Sequence, residues 1–135
     1  MVRASLLLGI CALGLALPAC GGGDDDGDDA EQVVRDFVEA TNARDGDTLC
    51  GELLTQEFKE KATGATGDRA DEVCKQQLEL TKGFKLKLVS IDKTTVDGDR
   101  ATVRTVLNVD GVQAPRVFRL AKEDGDWRLA AGSSG

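Results

Sequence analysis

The sequence contains no histidine and no tyrosine, and among its 135 residues are only two prolines, one tryptophan and four phenylalanines. Histidine and tyrosine are frequent proton donors and acceptors in enzyme pockets. Acid–base catalysis would therefore have to use other groups, such as carboxylates. The length allows one domain and hardly two.

Basic residues are fewer than acidic ones, with 17 Lys and Arg against 24 Asp and Glu and a net charge of −7. Removal of residues 1–19 would take away Arg3 and no acid, which makes the remainder more negative. Such a chain is a poor match for nucleic acid or, through its overall charge, for an anionic lipid surface. We expect no nucleic-acid partner.

A long apolar run is also missing. The apolar stretch at residues 6–17 follows one positive charge at Arg3 and is, at about 12 residues, too short to span a bilayer as a stable helix. This pattern is typical of a targeting segment and predicts a signal peptide over residues 1–19.

The segment Leu17-Pro18-Ala19-Cys20 resembles the lipobox of bacterial lipoproteins, in which a leucine and a small residue precede a cysteine that is lipidated and becomes the new N-terminus. Pro18 departs from that pattern, where a small or β-branched residue is usual. The resemblance implies an exported protein that acyl chains such as palmitate on Cys20 anchor to the bacterial cell membrane, outside the cytoplasm. The alternative is ordinary secretion with cleavage after Ala16.

Residues 21–29 consist only of glycine and aspartate. A segment without apolar side chains cannot bury surface, so residues 20–29 are predicted to form a disordered tether. The aspartates could instead bind calcium, but they lack the glycine and the distal glutamate of an EF-hand loop. No metal site and no cofactor are predicted.

Apolar periodicity predicts three helices after the tether: one from Asp28 or Asp29 to about Arg44, a shorter one after Asp47, and one from Asp68 or Asp71 to about Thr81,. Their predicted inner faces are Val33, Val34, Phe37, Val38 and Thr41, then Leu49, Cys50, Leu53 and Leu54, then Val73, Leu78 and Leu80. Residues 63–67 are predicted to form a loop.

Residues 84–131 are predicted to form four short strands. The Asp-Gly pairs at 97–98, 110–111 and 124–125 separate alternating apolar runs, and Asp-Gly is a strong hairpin signal because such turns need positive φ. A two-residue loop at Asp110-Gly111 aligns five pairs on one largely apolar face, here called the inner face: Val109/Val112, Leu107/Ala114, Thr105/Arg116, Val103/Phe118 and Ala101/Leu120. The next loop adds Leu120/Leu129 and Lys122/Trp127, with the last strand ending near Ala131, opposite Phe118.

The register of the first strand is open. A two-residue loop at Asp97-Gly98 would turn Ser90 and Asp92 inward, whereas a three-residue loop would turn Val89 and Ile91 inward. Burial favours the second alternative, because an unpaired inward Asp costs free energy whereas Val and Ile gain it. Broken alternation over residues 86–91 also predicts a bulge and a bent strand.

Cys50 and Cys74 are the cysteines that remain after Cys11 leaves with the signal peptide and Cys20 is lipidated. In an exported domain they predict a structural disulfide. A redox-active pair usually needs closer spacing, and two cysteines without histidine are too few for zinc.

Helices followed by a meander that ends in Gly125-Asp126-Trp127-Arg128-Leu129 resemble the nuclear transport factor 2-like (SnoaL-like, cystatin-like) superfamily over residues 30–131, and the opening at residues 33–47 resembles its first helix. The resemblance implies an α+β fold of N-terminal helices packed on a curved, four-stranded antiparallel meander, cone-shaped with a pocket at its open end. Residues 132–135 would be a flexible tail. The short strand usual before the third helix is not legible, and residues 57–62 fit a helix instead.

Enzymes of that superfamily include ketosteroid isomerases, scytalone dehydratases, polyketide cyclases and epoxide hydrolases, whose acid–base chemistry uses His, Tyr and Asp. His and Tyr are absent here, so no catalytic residue is assigned. The leading hypothesis is a lipid-anchored, non-enzymatic domain that binds a small ligand or an envelope protein. The alternative is a small isomerase or cyclase that uses an Asp and Arg116. A homodimer through the outer sheet face is possible.

The candidate ligand residues are Thr105, Arg116 and Trp127. Thr105 and Arg116 form the one polar row of the inner face, and an inward Arg would bind an anionic group through its planar fork. Arg116 could instead lie at the sheet margin with its head in water. Trp127 is either a ligand platform or a core-edge residue beside Lys122.

Overall fold

The computed structural model describes residues 22–134, with side chains described for residues 25–131. The predicted signal peptide and Cys20 lie outside the described residues. The elements are α1 (Gly22–Ala43), α2 (Gly46–Thr48), a π-helical turn (Leu49–Leu53), α3 (Gln56–Thr63), α4 (Asp68–Leu80), β1 (Leu86–Asp97), β2 (Arg100–Val109), β3 (Val112–Glu123) and β4 (Asp126–Ser134). The strands form one antiparallel sheet in the order β1-β2-β3-β4. The predicted α+β architecture is confirmed. Between residues 22 and 134 no helix has the length and apolarity needed to cross a membrane.

The α1 helix begins inside the segment predicted to be a disordered tether, so that prediction is wrong from Gly22 onward. Acidic residues in the first turns of a helix are stabilised by its dipole. One of them, Asp26, also accepts a hydrogen bond from Trp127 Nε1 (3.3 Å) and forms an ion pair with Lys122 (2.9 Å). Composition could not show these contacts, because they come from the opposite end of the chain.

The predicted inner stripe of α1 lies against the sheet. Val34 and Val38 are buried, and Val33 and Phe37 pack on the same core. The π-helical turn that follows α2 extends this cover, with Leu49, Cys50, Leu53 and Leu54 buried as predicted.

The β2–β3 register is confirmed pair by pair, from Val109 opposite Val112 to Ala101 opposite Leu120. Its turn has positive φ at both Asp110 (51°) and Gly111 (92°), which is the turn type that follows the strand twist. In the β3–β4 hairpin the pairs Leu120/Leu129 and Lys122/Trp127 are also as predicted.

Two predictions about the end of β4 are wrong. Irregular pairing places Ala131 opposite Arg119, and the strand continues to Ser134, inside the predicted flexible tail. The strand continues because β3 extends past this point and offers further backbone partners, as the pairing of Ser134 with Val117 shows.

β1 follows neither predicted register. Its turn is Gly98-Asp99, since Asp97 pairs with Arg100, and register shifts follow between Ile91 and Lys93 and between Leu88 and Ser90. The predicted bulge is confirmed, and Ile91 packs on the core as expected. Val89 is 43% exposed, however, because it is the extra residue of a bulge and needs no place on the inner face.

The remaining helices pack beside the sheet. The alternative helix at residues 57–62 is confirmed as part of α3, and Leu54 forms a single parallel bridge with Leu129 near the place where the superfamily has its short strand. The predicted inward position of Leu80 is wrong, because this residue ends α4 and is 84% exposed.

The disulfide between Cys50 and Cys74 is present, with a Cα–Cα distance of 6.0 Å. It joins the π-helical turn to α4. Among the described residues the core extends from Ala30 to Leu129, so residues 22–134 contain this core, its helical cover and the disulfide. We conclude that this part of the chain folds as a unit.

Loss of the disulfide should lower the stability markedly. The double substitution Cys50→Ser/Cys74→Ser opens a loop of 24 positions, and the chain-entropy model predicts a loss of about 3.5 kcal/mol in the free energy of unfolding. Urea unfolding of residues 22–135 measures it. Reductant should destabilise the wild type by a similar amount and leave the double variant unchanged; equal stability of the two proteins would contradict the prediction.

Candidate functional site

One end of the inner face of the sheet is left open by the helices. A cavity of about 300 Å³ lies there. It is lined by Phe37, Phe58, Phe84, Leu86, Leu107, Val109, Arg116, Phe118, Leu129 and Ala131. All four phenylalanines of the chain take part. The lining is therefore apolar and aromatic, with one cation.

Two of the phenylalanines meet across the layers. Phe37 comes from the inner stripe of α1 and Phe118 from the inner face of β3, and their rings form an edge-to-face pair with centroids 5.6 Å apart. Such pairs are favourable because the positive ring edge meets the negative ring face. This pair forms the boundary between the core and the cavity.

Phe58 is positioned by α3, which is fixed at its start and along its side. Thr55 N–H donates to the Leu129 carbonyl (2.9 Å), and the Thr55 hydroxyl caps the helix by accepting from Phe58 N–H (3.2 Å). Lys59 is almost completely buried and forms an ion pair with Asp71 of α4 at 2.5 Å. These contacts keep the Phe58 ring on the cavity wall.

The mouth of the cavity is held by polar side chains from the end of α1. Asn42 uses both ends of its amide, donating to the Leu86 carbonyl (2.7 Å) and accepting from Leu86 N–H (2.8 Å). Arg44 donates to the Phe84 carbonyl and to the Thr81 hydroxyl, both at 3.3 Å. Phe84 is thereby placed at the mouth, half exposed.

Arg116 is the cationic member of the lining. Its side chain is partly buried, and its Nη1 donates to the Pro115 carbonyl at 3.1 Å. Among the side chains of residues 25–131, no carboxylate lies within 4.0 Å of its guanidinium nitrogens. Most of its five N–H donors are thus free to meet a ligand at the mouth.

Thr105 pairs with Arg116 across the strands, as predicted, but does not line the cavity. Its side chain is almost completely buried, and its hydroxyl donates to the Arg116 carbonyl at 3.2 Å. Thr105 therefore satisfies a buried polar group and fixes the strand beneath Arg116. Of the three predicted ligand residues, Arg116 is the one that reaches the cavity.

Trp127 lies at the other end of α1, where it lines, with Asp26 and Lys122, a larger and more polar cleft of about 530 Å³. It is 6% exposed, and the Lys122 ammonium lies 5.1 Å from its ring centroid. This is the core-edge position beside Lys122 that was one of the two predictions. Lys122, Asp26 and Trp127 join the start of α1 to β3 and β4 and are here called the helix clamp.

The sequence patterns did not identify Phe58, Phe84, Asn42 or Arg44 as site residues. Phe58 and Phe84 lie on elements whose orientation no strand register fixes. Asn42 and Arg44 form hydrogen bonds with residues 44 and 40 positions away. Local sequence patterns do not reveal contacts between residues so far apart in the chain. The one available sequence signal was that the chain has only four phenylalanines. The structure brings all four together in the cavity lining.

The lining has limited chemistry. It contains no carboxylate, and the chain has no histidine or tyrosine, so no side chain of the lining is suited to general acid–base catalysis near neutral pH. Within residues 25–131 no three Cys, Asp or Glu side chains are grouped to hold a metal ion. The cavity can enclose an apolar group and pair an anion at its mouth.

The helix clamp should respond to pH. The hydrogen bond from Lys122, aided by Trp127, lowers the pKa of Asp26 below its ordinary 3.8, and Asp26 raises the pKa of Lys122 above 10.5. The Asp26 contribution to stability is therefore present above pH 3.8 and lost as pH falls through the lower folded-state pKa. The Lys122 contribution is present below pH 10.5 and lost as pH rises through the higher folded-state pKa,.

Fluorescence of Trp127, the one tryptophan of the chain, reports this clamp. We expect an acid transition below pH 3.8 that Asp26→Asn removes. Asp25→Asn, a change at the exposed neighbouring aspartate, is the matched control and should titrate like the wild type. An acid transition that is the same in Asp26→Asn and wild type would show that the clamp does not form.

Comparison with known proteins supports the fold. No protein-family model and no curated protein matches the chain. Among solved structures it is similar to an LEH-like epoxide hydrolase from M. tuberculosis (TM-score 0.52, 19% identity, covering 78% of this chain and 84% of that one). It is also similar to a putative scytalone dehydratase from Novosphingobium aromaticivorans (0.51, 19%, 78% and 79%). A cystatin-like domain from Nostoc punctiforme gives a TM-score of 0.51 at 16% identity, covering 78% and 72%. At such identities the likeness concerns the fold, and the chain has the nuclear transport factor 2-like, cystatin-like fold that its sequence resembles.

Proposed function

We propose that this protein is a lipid-anchored, extracytoplasmic binding domain whose cavity holds a small amphiphile with an apolar body and an anionic head. The observation that carries the proposal is the cavity lining: four phenylalanines and five aliphatic residues surround a space with Arg116 as its one charged member.

The apolar body of the ligand would fill the cavity. Its volume of about 300 Å³ is at the lower end of the range for small-molecule sites, about 300–1,000 Å³. Since one water occupies about 30 Å³ in the liquid, the space suits a group of roughly ten non-hydrogen atoms. The phenylalanine rings supply contact area with little conformational freedom to lose, which favours binding of an apolar chain or ring.

The anionic head of the ligand would pair with Arg116. A guanidinium binds a carboxylate or phosphate through two parallel hydrogen bonds, and a partly apolar surrounding weakens screening by water. The backbone of Arg116 is held by the Thr105 hydroxyl, and its guanidinium is held at one nitrogen by the Pro115 carbonyl.

The absence of a proton-transfer group from the lining favours binding over catalysis. The isomerase or cyclase alternative would need an Asp beside Arg116, and the lining contains none. The activities in the names of the structural neighbours belong to those proteins. Their sequence identity to this chain is 19%, so the likeness concerns the fold and not the activity.

The lipid anchor rests on Leu17-Pro18-Ala19-Cys20. A disulfide between Cys50 and Cys74 suits an oxidising compartment outside the cytoplasm. Since α1 already begins at Gly22, little chain separates the proposed anchor from the folded domain, which would place the clamp end of α1 close to the membrane.

Ligand binding is tested by calorimetry of residues 22–135 with decanoate and with decanol. Loss of charge-assisted hydrogen bonds in Arg116→Ala should weaken decanoate binding about tenfold or more, with little change for decanol. Arg104→Ala, on the exposed outer face, is the matched control. Equal decanoate affinity in wild type and Arg116→Ala would refute the role of Arg116.

The anchor is tested in bacterial cells that express the full chain and are fed an alkynyl palmitate. Wild type should take up the label and enter the membrane fraction, because an acyl chain on Cys20 is a hydrophobic anchor. Cys20→Ala should remain unlabelled. The control Cys11→Ala, which changes the cysteine of the predicted signal peptide, should take up the label like the wild type. Labelling of the Cys20→Ala protein would refute lipidation at Cys20.

A further inference from the structure

The exposed apolar side chains of the domain are gathered in one region. Within the described residues four large apolar side chains are exposed: Leu80 (84%), Phe84 (50%), Val89 (43%) and Val112 (69%). Three of them lie in residues 80–91, and the fourth follows the β2–β3 turn. That turn is bonded to the same segment, since Asp110 N–H donates to the Lys85 carbonyl and Lys85 N–H to the Asp110 carboxylate, both at 3.3 Å.

The same region is locally basic in an acidic chain. Residues 80–91 contain three lysines and no acidic residue. Lys82, Lys85 and Lys87 are all exposed. Two carboxylates lie nearby: Glu79 pairs with Lys82 at 3.6 Å, and Asp110 accepts from the Lys85 backbone. In the described part of the chain Lys85 and Lys87 have no ion-pair partner.

We propose that this region docks on a lipid surface that carries anionic headgroups. Its residues, here called the rim, are Leu80, Phe84 and Val112 with Lys82 and Lys85. The proposal rests on the proposed function, because the rim lies at the mouth of the same cavity: Phe84 is both half exposed and part of the lining.

The chemistry of the rim matches the interface of a bilayer. Apolar side chains enter the boundary between headgroups and acyl chains, while lysines extend to the phosphates. The rim presents lysines around apolar side chains, which suits a surface of uniform negative charge. It also opens into an apolar cavity, so an amphiphile could pass from the lipid surface to the lining without its apolar part crossing water.

The overall net charge of −7 does not oppose this contact. Charges more than about 8–10 Å away are largely screened at physiological salt. The acidic start of α1 is distant, because Asn42 bonds to Leu86 at one end of the helix while Asp26 bonds to Trp127 at the other, about 24 Å away at 1.5 Å per residue. Because the proposed anchor would bring the acidic start of α1 to the same membrane, the rim is tested on residues 22–135, which lack the anchor.

The test is co-sedimentation of residues 22–135 with vesicles of phosphatidylcholine, with and without phosphatidylglycerol. Binding should require the anionic lipid and decline with salt. Lys85→Glu should weaken partitioning about tenfold. Arg69→Glu, an equal change of charge at an exposed site in the first turn of α4, should have little effect. Leu80→Ser/Val112→Ser, which changes exposed residues, should also lose binding.

The two proposals fail separately. Leu80 and Val112 do not line the cavity, so their double variant should bind decanoate like the wild type while it loses vesicle binding. Thermal unfolding checks that each variant is folded. The lipid proposal would be overturned if the protein did not bind vesicles, or if the rim substitutions did not change its affinity for them. A protein would then be the partner to test for the rim.

Discussion

A sheet with one apolar face depends on its register, and here the hairpin turns set that register. Asp110 and Gly111 both adopt positive φ, which fixes a two-residue loop and hence every pair between β2 and β3. A slip of one residue would turn Phe118 and Leu120 to solvent and Arg119 inward. The helices then have a defined apolar surface to cover, and the cavity lies where that cover ends.

A structural feature could be predicted when the residues that determine it are close together in the sequence. The β2–β3 pairs and the β3–β4 pairs next to the turn depend on adjacent turn residues and were predicted correctly. β1 was not, because its turn is Gly98-Asp99 and because two register shifts, rather than the one predicted bulge, let Val89 leave the inner face. The start of α1 was also wrong, because an aspartate-rich segment becomes ordered through Lys122 and Trp127.

The candidate site was predicted only in part for the same reason. Arg116 lies on a strand of known register, so its inward direction followed from Thr105 and Phe118. Phe58 and Phe84 depend instead on contacts between elements distant in sequence, such as Thr55 with Leu129 and Arg44 with Phe84. An average over 135 residues also does not show the basic segment beside the cavity mouth.

The two ends of the domain are linked by α1. Its start is held by the helix clamp, its middle contributes Phe37 to the cavity wall, and Asn42 near its end bonds to Leu86 in the cavity lining. A helix bonded along its length moves as a nearly rigid rod over this span. A shift at the clamp would therefore also change the separation of Phe37 from Phe118 and the position of Leu86. Because packed side chains tolerate small displacements poorly, the seating of the acidic helix start and the shape of the cavity are expected to be coupled, although no residue belongs to both.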